Sequence, residues 1–420
     1  MTNRKYPMRL DVYVSGKHAG VLEQLSPAEF KFTYQHGADA VSLTMPVRAE
    51  PYLAPYLHPV FQVSLPEGDL RAEIERETLK RTNAGGDMSV LAVVGQHLVG
   101  NLSVVPEGAT PSPDAKESLA DVLKHGGSPE FVAKLISEHA TRSGVSGGYL
   151  KVLAETVSTR RQMPLGRWIV KLPSASHPWL SANEYFSMRA AQLSGIATPH
   201  IELSDDGQVL LSERFDVKED GSQFAFEDMC SLMGLPSGLK FSGSVERVVK
   251  TINAYCAVDQ RRQSLEMFFR QYTLAMVLRN GDAHLKNFGV LSDKGRSPKL
   301  SPCFDMVTMA AYAPVQNNGE TMDIPALMFG GTKRWPKPQD IGRLARMCGA
   351  DAKAVLCDIE SGVNRAALDM SEYAKSNPAF REHAQKILML WKDGMEKAGL
   401  SPAFDLGACR TCVTNTSASL

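Results

Sequence analysis

The sequence is organised around one stretch, which reads Arg279-Asn280-Gly281-Asp282-Ala283-His284-Leu285-Lys286-Asn287-Phe288-Gly289. The segment before it carries an apolar stripe and predicts a helix, and the residues from Phe288 to Leu291 predict a short strand. A helix, a tight polar loop and a strand in this order can hold an exposed carboxylate in a fixed place. We therefore expect Asp282 to lie where the chemistry of the protein takes place.

The spacing of the acidic and amide side chains indicates which type of reaction this is. Asp282 and Asn287 are separated as the base and a magnesium ligand are in the catalytic loop of protein kinases. Asp305 follows after a turn-rich region, 292–298. Phosphoryl transfer needs one group that orients the attacking hydroxyl and two that hold metal against the phosphates. Asn-Gly-Asp is also a common turn, so the remaining parts of a nucleotide site must be found upstream.

The composition is typical of a soluble globular protein, with 43% hydrophobic and 22% charged residues. The 46 basic and 46 acidic residues cancel, which excludes a global attraction to nucleic acid or to an anionic membrane. No apolar run has the length of a signal peptide or a bilayer span, so we expect a cytoplasmic protein with reduced thiols. Cys409 and Cys412 form a CxxC without a second pair, which argues against a metal site there.

The first part of the chain, residues 1–110, predicts a small β-rich subdomain. Polar and apolar residues alternate at 10–15, 30–34 and 41–45, which is the period of a half-buried strand. Residues 70–82 favour a helix. No group of catalytic side chains is found in this part, so we expect it to act as a scaffold or docking domain.

The rest of the chain divides by composition and periodicity. A linker with helices occupies residues 111–142, and a larger domain comes after it at 143–408. We expect residues 143–225 to form a nucleotide lobe of mixed β-structure and residues 226–408 to form an all-helical catalytic lobe. Residues 409–420 predict a disordered tail. Helical segments are expected within the catalytic lobe at 338–348, 351–375 and 378–398.

A glycine-rich loop opens the larger domain and reads Ser143-Gly144-Val145-Ser146-Gly147-Gly148-Tyr149-Leu150-Lys151. Glycines allow backbone N–H groups to approach a phosphate closely. Flexible linkers are also rich in glycine, so the loop indicates a phosphate site only if the other parts of that site lie downstream. The candidate nucleotide-binding residues here are Ser146, Gly147, Gly148 and Lys151.

Three segments after the loop come in the order that a kinase-like site requires. A buried-type strand, Trp168 to Pro173, carries Lys171, which either extends its stem toward solvent or contacts ATP phosphates. Glu184 either belongs to a capping box that begins at Ser181, or pairs with Lys171. Another buried-type strand, Val209 to Phe215, leads to a hinge-like segment. Independent local features thus agree on an ATP-dependent phosphotransferase.

These residues resemble the HipA-type serine/threonine kinases of bacterial toxin–antitoxin modules. The specific part is Asp282-Ala283-His284 with Lys286-Asn287-Phe288, and the resemblance extends over nearly the whole chain. It implies an α+β, bilobal protein-kinase-like fold preceded by a β-rich N-terminal subdomain. The supporting segments are Leu10–Gly20, Leu65–Asp69, the glycine-rich loop, Ile169–Pro173, Asn183-Glu184, Glu213–Asp216 and Phe304-Asp305.

The resemblance also implies roles for single residues. Asp282 looks like the catalytic base, and Lys171 looks like the lysine that contacts phosphate, with Glu184 as its ion-pair partner. Asn287 and Asp305 look like ligands of Mg²⁺. The positions that resemble further ATP contacts are His284, Glu213, Arg214 and Phe215.

The family implies partners and a switch as well. Its members phosphorylate a serine, with an aminoacyl-tRNA synthetase as the best-known substrate class. A small helix-turn-helix antitoxin of the HipB type neutralises them and binds operator DNA, so DNA contacts are expected only through that complex. Members also phosphorylate a serine of their own glycine-rich loop, which ejects the loop and inactivates the enzyme. No membrane partner is expected.

This chain departs from the family pattern in that loop. With the lysines aligned, Gly144 occupies the first serine position and Ser146 the second, while Ser143 is one residue out of register. Both serines therefore remain candidates for autophosphorylation. Met306-Val307 comes after Asp305 in place of Phe-Gly, which argues against a mobile activation segment of the eukaryotic kind.

Two other functions remain open at this point. Small-molecule phosphotransferases, such as aminoglycoside and choline kinases, share the Asp-x4-Asn spacing with a His two residues after the Asp, but they do not need the N-terminal domain. A catalytically idle co-repressor would only dock an antitoxin. Such a binding module has no use for the complete set of Lys171, Asp282, Asn287 and Asp305.

Overall fold

The computed structural model describes residues 8–65, 71, 86–111, 116–117, 123–124, 128, 151–157, 164–173, 176–314 and 321–404. The predicted helix at 70–82, apart from residue 71, lies outside the described residues. So do most of the linker, the glycine-rich loop before Lys151, and the tail from Cys409 that was predicted to be disordered.

The N-terminal part folds as an antiparallel sheet with the strand order β4-β3-β2-β1-β5. The alternating residues Leu10, Val12 and Val14 of the first strand are buried, as the period-two pattern predicts. Two helices, α1 (Pro59–Gln62) and α2 (Asp87–Val94), contribute to the same core. The strands are β1 (Met8–Val14), β2 (Lys17–Ser26), β3 (Glu29–Tyr34), β4 (Tyr52–Ala54) and β5 (Leu102–Pro106).

One predicted strand of this part is wrong. Residues 41–45 form a turn with an isolated bridge between Ser42 and Met45. The Ser42 hydroxyl and the Leu43 N–H both donate to the carboxylate of Glu227, at 2.6 and 2.7 Å. Val41 and Met45 are buried in the N-terminal core, while Leu43 packs against the core of the second part, so the apolar residues alternate across a turn and not along a strand.

The second sheet contains the strands of the part that was predicted to be a nucleotide lobe, and it has the order β6-β7-β8-β10-β9. Lys151 begins β7 and lies opposite Lys171 at the end of β8. Helix α3 (Leu180–Leu193) contacts β9 and β10 and buries its apolar side in the larger core. The strands are β6 (Lys116–Glu117), β7 (Lys151–Val157), β8 (Pro164–Lys171), β9 (Ile201–Leu203) and β10 (Leu210–Glu213).

The predicted capping box at Ser181 is also wrong. The N-cap of helix α3 is Trp179, two residues before Ser181, and its backbone is left-handed with φ 60°. The Ser181 hydroxyl donates to the carbonyl of Gln208 at 2.7 Å instead of capping the helix. Glu184 is thereby placed one turn into the helix, where its side chain faces Lys171.

The C-terminal lobe is mainly helical, as predicted, but it is not all-helical. A three-stranded antiparallel sheet is formed by β11 (Ala225–Asp228), β12 (Gly289–Asp293) and β13 (Arg296–Leu300). The predicted strand after Asn287 is β12, whereas the start of β11 at Ala225 replaces the helix expected from Phe226. The helices of the lobe are α4 (Met229–Leu232), α5 (Val245–Tyr255), α6 (Val258–Val277), α7 (Pro338–Cys348), α8 (Ala352–Ser376) and α9 (Arg381–Lys397).

Helices α6, α8 and α9 enclose the large hydrophobic core, and the buried stripe of α6 includes Phe268, Phe269 and Tyr272. The predicted α+β architecture, with β-rich N-terminal sheets and a helical C-terminal part, is thus confirmed. Within the part of the chain that the structure describes, no helix is both long enough and apolar enough to cross a bilayer.

The N-terminal part is joined to the lobes by hydrogen bonds that run along a seam. Gly100 donates its N–H to Asp216 at 2.7 Å, and Ser237 donates its N–H to the side-chain oxygen of Gln62 at 2.8 Å. Glu227 adds the two bonds to the turn at 41–45. These contacts place the edge of the N-terminal domain beside a cleft between the two lobes.

Candidate active site

A buried lysine lies at the centre of the cleft. Lys171 ends β8 with only 3% of its surface exposed, and its ammonium group forms ion pairs with Glu184 of α3 and with Asp305. Burial by itself would lower the pKa of this lysine, but the two carboxylates outweigh burial and raise it. Lys171 is therefore held as a cation between the two lobes.

Asp305 reaches this position through an unusual backbone conformation. Its φ of 55° lies in the left-handed region, which Asp tolerates better than most residues other than Gly. Such strain persists where the surrounding structure fixes it, and it is common at functional sites. The thiol of the nearby Cys303 responds to the same environment, because burial and then the carboxylates of Asp305 and Glu184 raise its pKa.

The predicted loop lies on the opposite side of the same cleft. Asp282 comes after α6, and its side chain is 41% exposed. The Asn280 side chain accepts the N–H of Asp282 at 3.1 Å, and the Asn287 amide nitrogen donates to the Asp282 carbonyl at 2.8 Å. The carboxylate is thus presented on a braced loop, with Nε2 of His284 at 3.8 Å from it.

The hinge-like segment borders the cleft between β10 and β11. Arg214 has a fully buried guanidinium that pairs with Asp216 and donates to the carbonyl of Leu98 at 3.1 Å. Its Nη1 has no partner among the described residues. Glu213 and Phe215 also line the cleft. The side chain of Arg214 therefore connects the hinge to the N-terminal domain, which its sequence position did not indicate.

The cleft brings together most of the site residues predicted from the sequence. It is lined by Lys171, Asp282, His284, Asn287, Asp305 and the hinge, Glu213 to Phe215, while Glu184 lies behind the lysine. Ser143, Ser146, Gly147 and Gly148 lie outside the described residues, and of Lys151 only the backbone in β7 is described.

Several lining residues were not singled out by sequence reasoning. Val63, Ser64 and Val99 come from the N-terminal domain, and Asp228 and Lys240 come from the C-terminal lobe. The sequence could have indicated Asp216, because this residue comes directly after the hinge motif. No such indication exists for the three N-terminal residues, since nothing local in the sequence shows that this edge closes the cleft.

The residues present fit a magnesium ion and ATP. Asn287 uses its amide nitrogen to donate to the backbone, which turns its oxygen away from that bond. Asp305 adds carboxylate oxygens, and hard divalent cations prefer oxygen ligands of both types. The carboxylates of Glu184 and Asp305 lie beside Lys171 in this part of the cleft, so anionic oxygens are available to a divalent cation there.

A lysine–glutamate pair, an Asp-x4-Asn loop and a further Asp around one cleft define a kinase. Models of known families agree with this class. Residues 143–372 match the HipA-like C-terminal domain, and residues 10–105 match the HipA N-terminal domain. The chain therefore belongs to the HipA family.

Two related proteins match this chain over most of its length. "Putative kinase Y4dM" of Sinorhizobium fredii is 26% identical over 325 residues, which are 73% of this chain and 75% of the relative. "Putative kinase Y4mE" of the same organism is 24% identical over 388 residues, 82% of this chain and 90% of the relative.

A solved structure has the same fold. It is a chain from the complex of the Shewanella oneidensis MR-1 toxin–antitoxin system HipA, HipB and its operator DNA. The TM-score is 0.65 at 15% identity, over 93% of this chain and 100% of that chain. At this identity the likeness concerns the fold alone.

Proposed function

We propose that this HipA-family kinase is an ATP- and Mg²⁺-dependent serine/threonine protein kinase that acts as the toxin of a type II toxin–antitoxin system. The observation that carries the proposal is the convergence of Lys171, Asp305, Asn287 and Asp282 on one cleft between two lobes. These side chains come from separate segments of the chain, and phosphoryl transfer needs each of them in place.

Asp282 is the group that handles the acceptor. Its half-exposed carboxylate accepts a hydrogen bond from the substrate hydroxyl and takes up the proton as the oxygen attacks the γ-phosphorus. The bond from that phosphorus to the β,γ-bridging oxygen breaks, and ADP leaves with the electron pair. Asn280 and Asn287 keep the loop still through their hydrogen bonds to its backbone, so the carboxylate needs little reorganisation.

Lys171 is the group that handles the phosphates. Because Glu184 holds its ammonium group from the side of α3, the lysine is positioned before ATP arrives. Asn287 and Asp305 would hold Mg²⁺, which neutralises charge on the phosphates when bound. Glu213 and Phe215 line the cleft and are the proposed adenine contacts, since the buried guanidinium of Arg214 binds Asp216 and the carbonyl of Leu98.

The proposed partners are a helix-turn-helix antitoxin of the HipB type and, through that antitoxin only, operator DNA. The likeness to the chain from the Shewanella complex and the matching N-terminal domain support this proposal. The proposed substrate is a translation component of the aminoacyl-tRNA synthetase class. Phosphoproteomics of cells before and after induction of the protein tests it, and a result without newly phosphorylated serine or threonine sites rejects the protein-kinase assignment.

A small-molecule phosphotransferase is the alternative, and the N-terminal domain weighs against it. Val63, Ser64 and Val99 of this domain line the cleft, and a small-molecule phosphotransferase does not need such a domain. Purified protein is incubated with ATP, Mg²⁺ and either cell protein or a panel of aminoglycosides and choline. Transfer to protein but not to small molecules supports the proposal, and the reverse result rejects it. Failure to bind ATP in a calorimeter would favour an idle co-repressor.

We also propose an off-switch in the glycine-rich loop. A phosphate on Ser146 adds about −1.5 to −2 charges where the ATP phosphates must lie, so repulsion disfavours nucleotide binding. Ser143, which precedes Gly144, is the second candidate. Protein incubated with ATP and Mg²⁺ is expected to carry phosphate on Ser146 by mass spectrometry, and this form no longer binds ATP. Normal ATP binding by the phosphorylated form rejects the switch and leaves the kinase assignment intact.

A further inference from the structure

The residue that opens the catalytic loop is held in an unusual way. Arg279 lies just after α6 and is 5% exposed, and its backbone has a φ of 55°. A left-handed conformation is costly for a residue with a long side chain such as Arg. The strain persists only if surrounding contacts fix the residue.

Those contacts come from two distant segments. The guanidinium donates from Nε and Nη2 to the two carboxylate oxygens of Asp323, at 2.9 and 2.7 Å, and Nη1 pairs with Asp393 of α9. The planar group also lies over the ring of Trp335, at 5.0 Å from its centroid. Two parallel bonds to one carboxylate fix both distance and orientation, which a lysine cannot do.

The partner carboxylate is itself fixed. The side chain of Asp323 is 4% exposed and also accepts a hydrogen bond from the hydroxyl of Thr321 at 2.8 Å. Its backbone carbonyl accepts from Nε1 of Trp335 at 3.1 Å. Arg279 is therefore bound to a carboxylate that other residues hold in place, and not to a mobile surface side chain. Asp393 is more exposed and shares a second cation, Lys397, so it contributes less.

The backbone of Arg279 makes a second connection. Its carbonyl accepts the N–H of Ala310 at 3.2 Å, in the short helical turn that comes after Asp305. The next residue, Asn280, supports the N–H of Asp282. One residue thus links the loop that carries Asp282 both to the segment that carries Asp305 and to the segment at Asp323.

We propose that Arg279 is a positioning residue for phosphoryl transfer. Through its hydrogen bonds to Asp323, Arg279 holds Asp282 at a fixed position relative to Asp305 and does not itself contact substrate or nucleotide. Contacts within the fold thus brace the loop that carries Asp282. The inference rests on the proposed kinase activity and concerns how its base is oriented.

The test compares Arg279→Lys and Asp323→Asn with a matched control, Arg270→Lys. Arg270 lies earlier on α6 and is also paired with two acids, Glu266 and Asp358, but it is remote from the loop. We expect kcat to fall roughly ten- to hundredfold in both test variants, because misplacement by about 1 Å has this effect. The KM for ATP and the affinity for ATP should stay close to wild type, and the control should keep normal kcat.

Three results overturn the proposal. One is normal kcat in Arg279→Lys, and another is a loss of kcat matched by an equal loss of ATP affinity and of folded protein. The third is a failure of both test variants to fold, which would make the cluster a requirement of the fold. The double variant should be no slower than the slower single one, since both changes break the same contact. A wild-type protein that transfers no phosphate would instead reject the proposed function.

Discussion

Two ionic groups of this protein differ in how far they are exposed to the cleft. At the seam, the side chains of Arg214 and Asp216 are almost fully buried, and they bind each other and backbone groups of Leu98 and Gly100. In the cleft, Lys171 stands between two carboxylates, and one of them, Asp305, remains partly exposed. The enclosed pair joins domains, whereas the partly open group is suited to receive a charged ligand.

Residues that stabilise the fold and residues that take part in the reaction thus lie close together in the wall of one cleft. Breaking a buried ion pair leaves a charge unpaired and costs folding energy. A half-exposed carboxylate such as Asp282 contributes little to the fold, so its loss should affect only the reaction. Substitutions in the two groups and along the seam test this separation, and the largest effect is expected at Asp282.

Asp282→Ala is expected to abolish phosphoryl transfer while the protein stays folded. Loss of the base should slow the reaction on the order of a hundredfold or more. Transfer of labelled phosphate from ATP measures the rate, and thermal unfolding measures the fold. Near-normal turnover in the variant would remove Asp282 from the site, and a large drop in Tm would contradict the separation of stability from function.

Arg214→Met is expected to destabilise the protein, because Asp216 would remain buried without its cation. The free energy of unfolding in urea should fall by about 3–5 kcal/mol. Arg9→Met is the matched control, since the side chain of Arg9 is 41% exposed and its more buried partner, Glu23, keeps a second cation, Lys31. Its change should remain below about 1 kcal/mol. Equal effects of the two substitutions would show that the seam pair is not special.

Glu227 makes the seam sensitive to pH. Burial, partly opposed by the hydrogen bonds from Leu43 and Ser42, raises the pKa of this carboxyl from 4.5 to about 7. The folded state then holds a proton that the unfolded state has released, so stability falls as pH rises from 4.5 to 7 and levels off above that. The loss in the free energy of unfolding amounts to at most about 3.5 kcal/mol, at roughly 1.4 kcal/mol per pH unit.

Glu227→Gln should remove this pH dependence, because its amide resembles the protonated carboxyl and still accepts from Leu43. Urea unfolding across this pH range measures the difference between the two proteins. The variant should be the more stable protein at a pH above the folded-state pKa. If the stability of both proteins changed with pH by the same amount across this range, Glu227 would not titrate as described.

Asp305→Asn is expected to give the smallest effect and to act on the open group. The substitution keeps an oxygen ligand but removes a charge, so ATP affinity should fall about tenfold with Mg²⁺ and little without it. Calorimetry with and without Mg²⁺ measures both affinities. Asp293→Asn, at an exposed position on β12, is the control. Equal losses with and without the metal would contradict a metal-ligand role for Asp305.

Sequence reasoning identified the chemical groups better than it identified their partners. The order of Lys171, Asp282, Asn287 and Asp305 indicated the cleft, and the 3.6-residue period indicated α6 and the three C-terminal helices. It failed at residues 41–45 and at Ser181, where a local pattern fits either of two structures. In each case a contact with a distant segment decided between them.

The sequence by itself determined which groups are available and in what order, since motif spacing and periodicity are properties of neighbouring residues. Only the tertiary structure decided that Glu184 pairs with Lys171, that Arg214 binds the N-terminal domain, and that Arg279 grips Asp323. Lys171 and Asp305 are 134 positions apart in the chain, yet they share an ion pair. Such pairs form because burying a charge requires a partner at that point in space, and separation along the chain carries no information about which residue it will be.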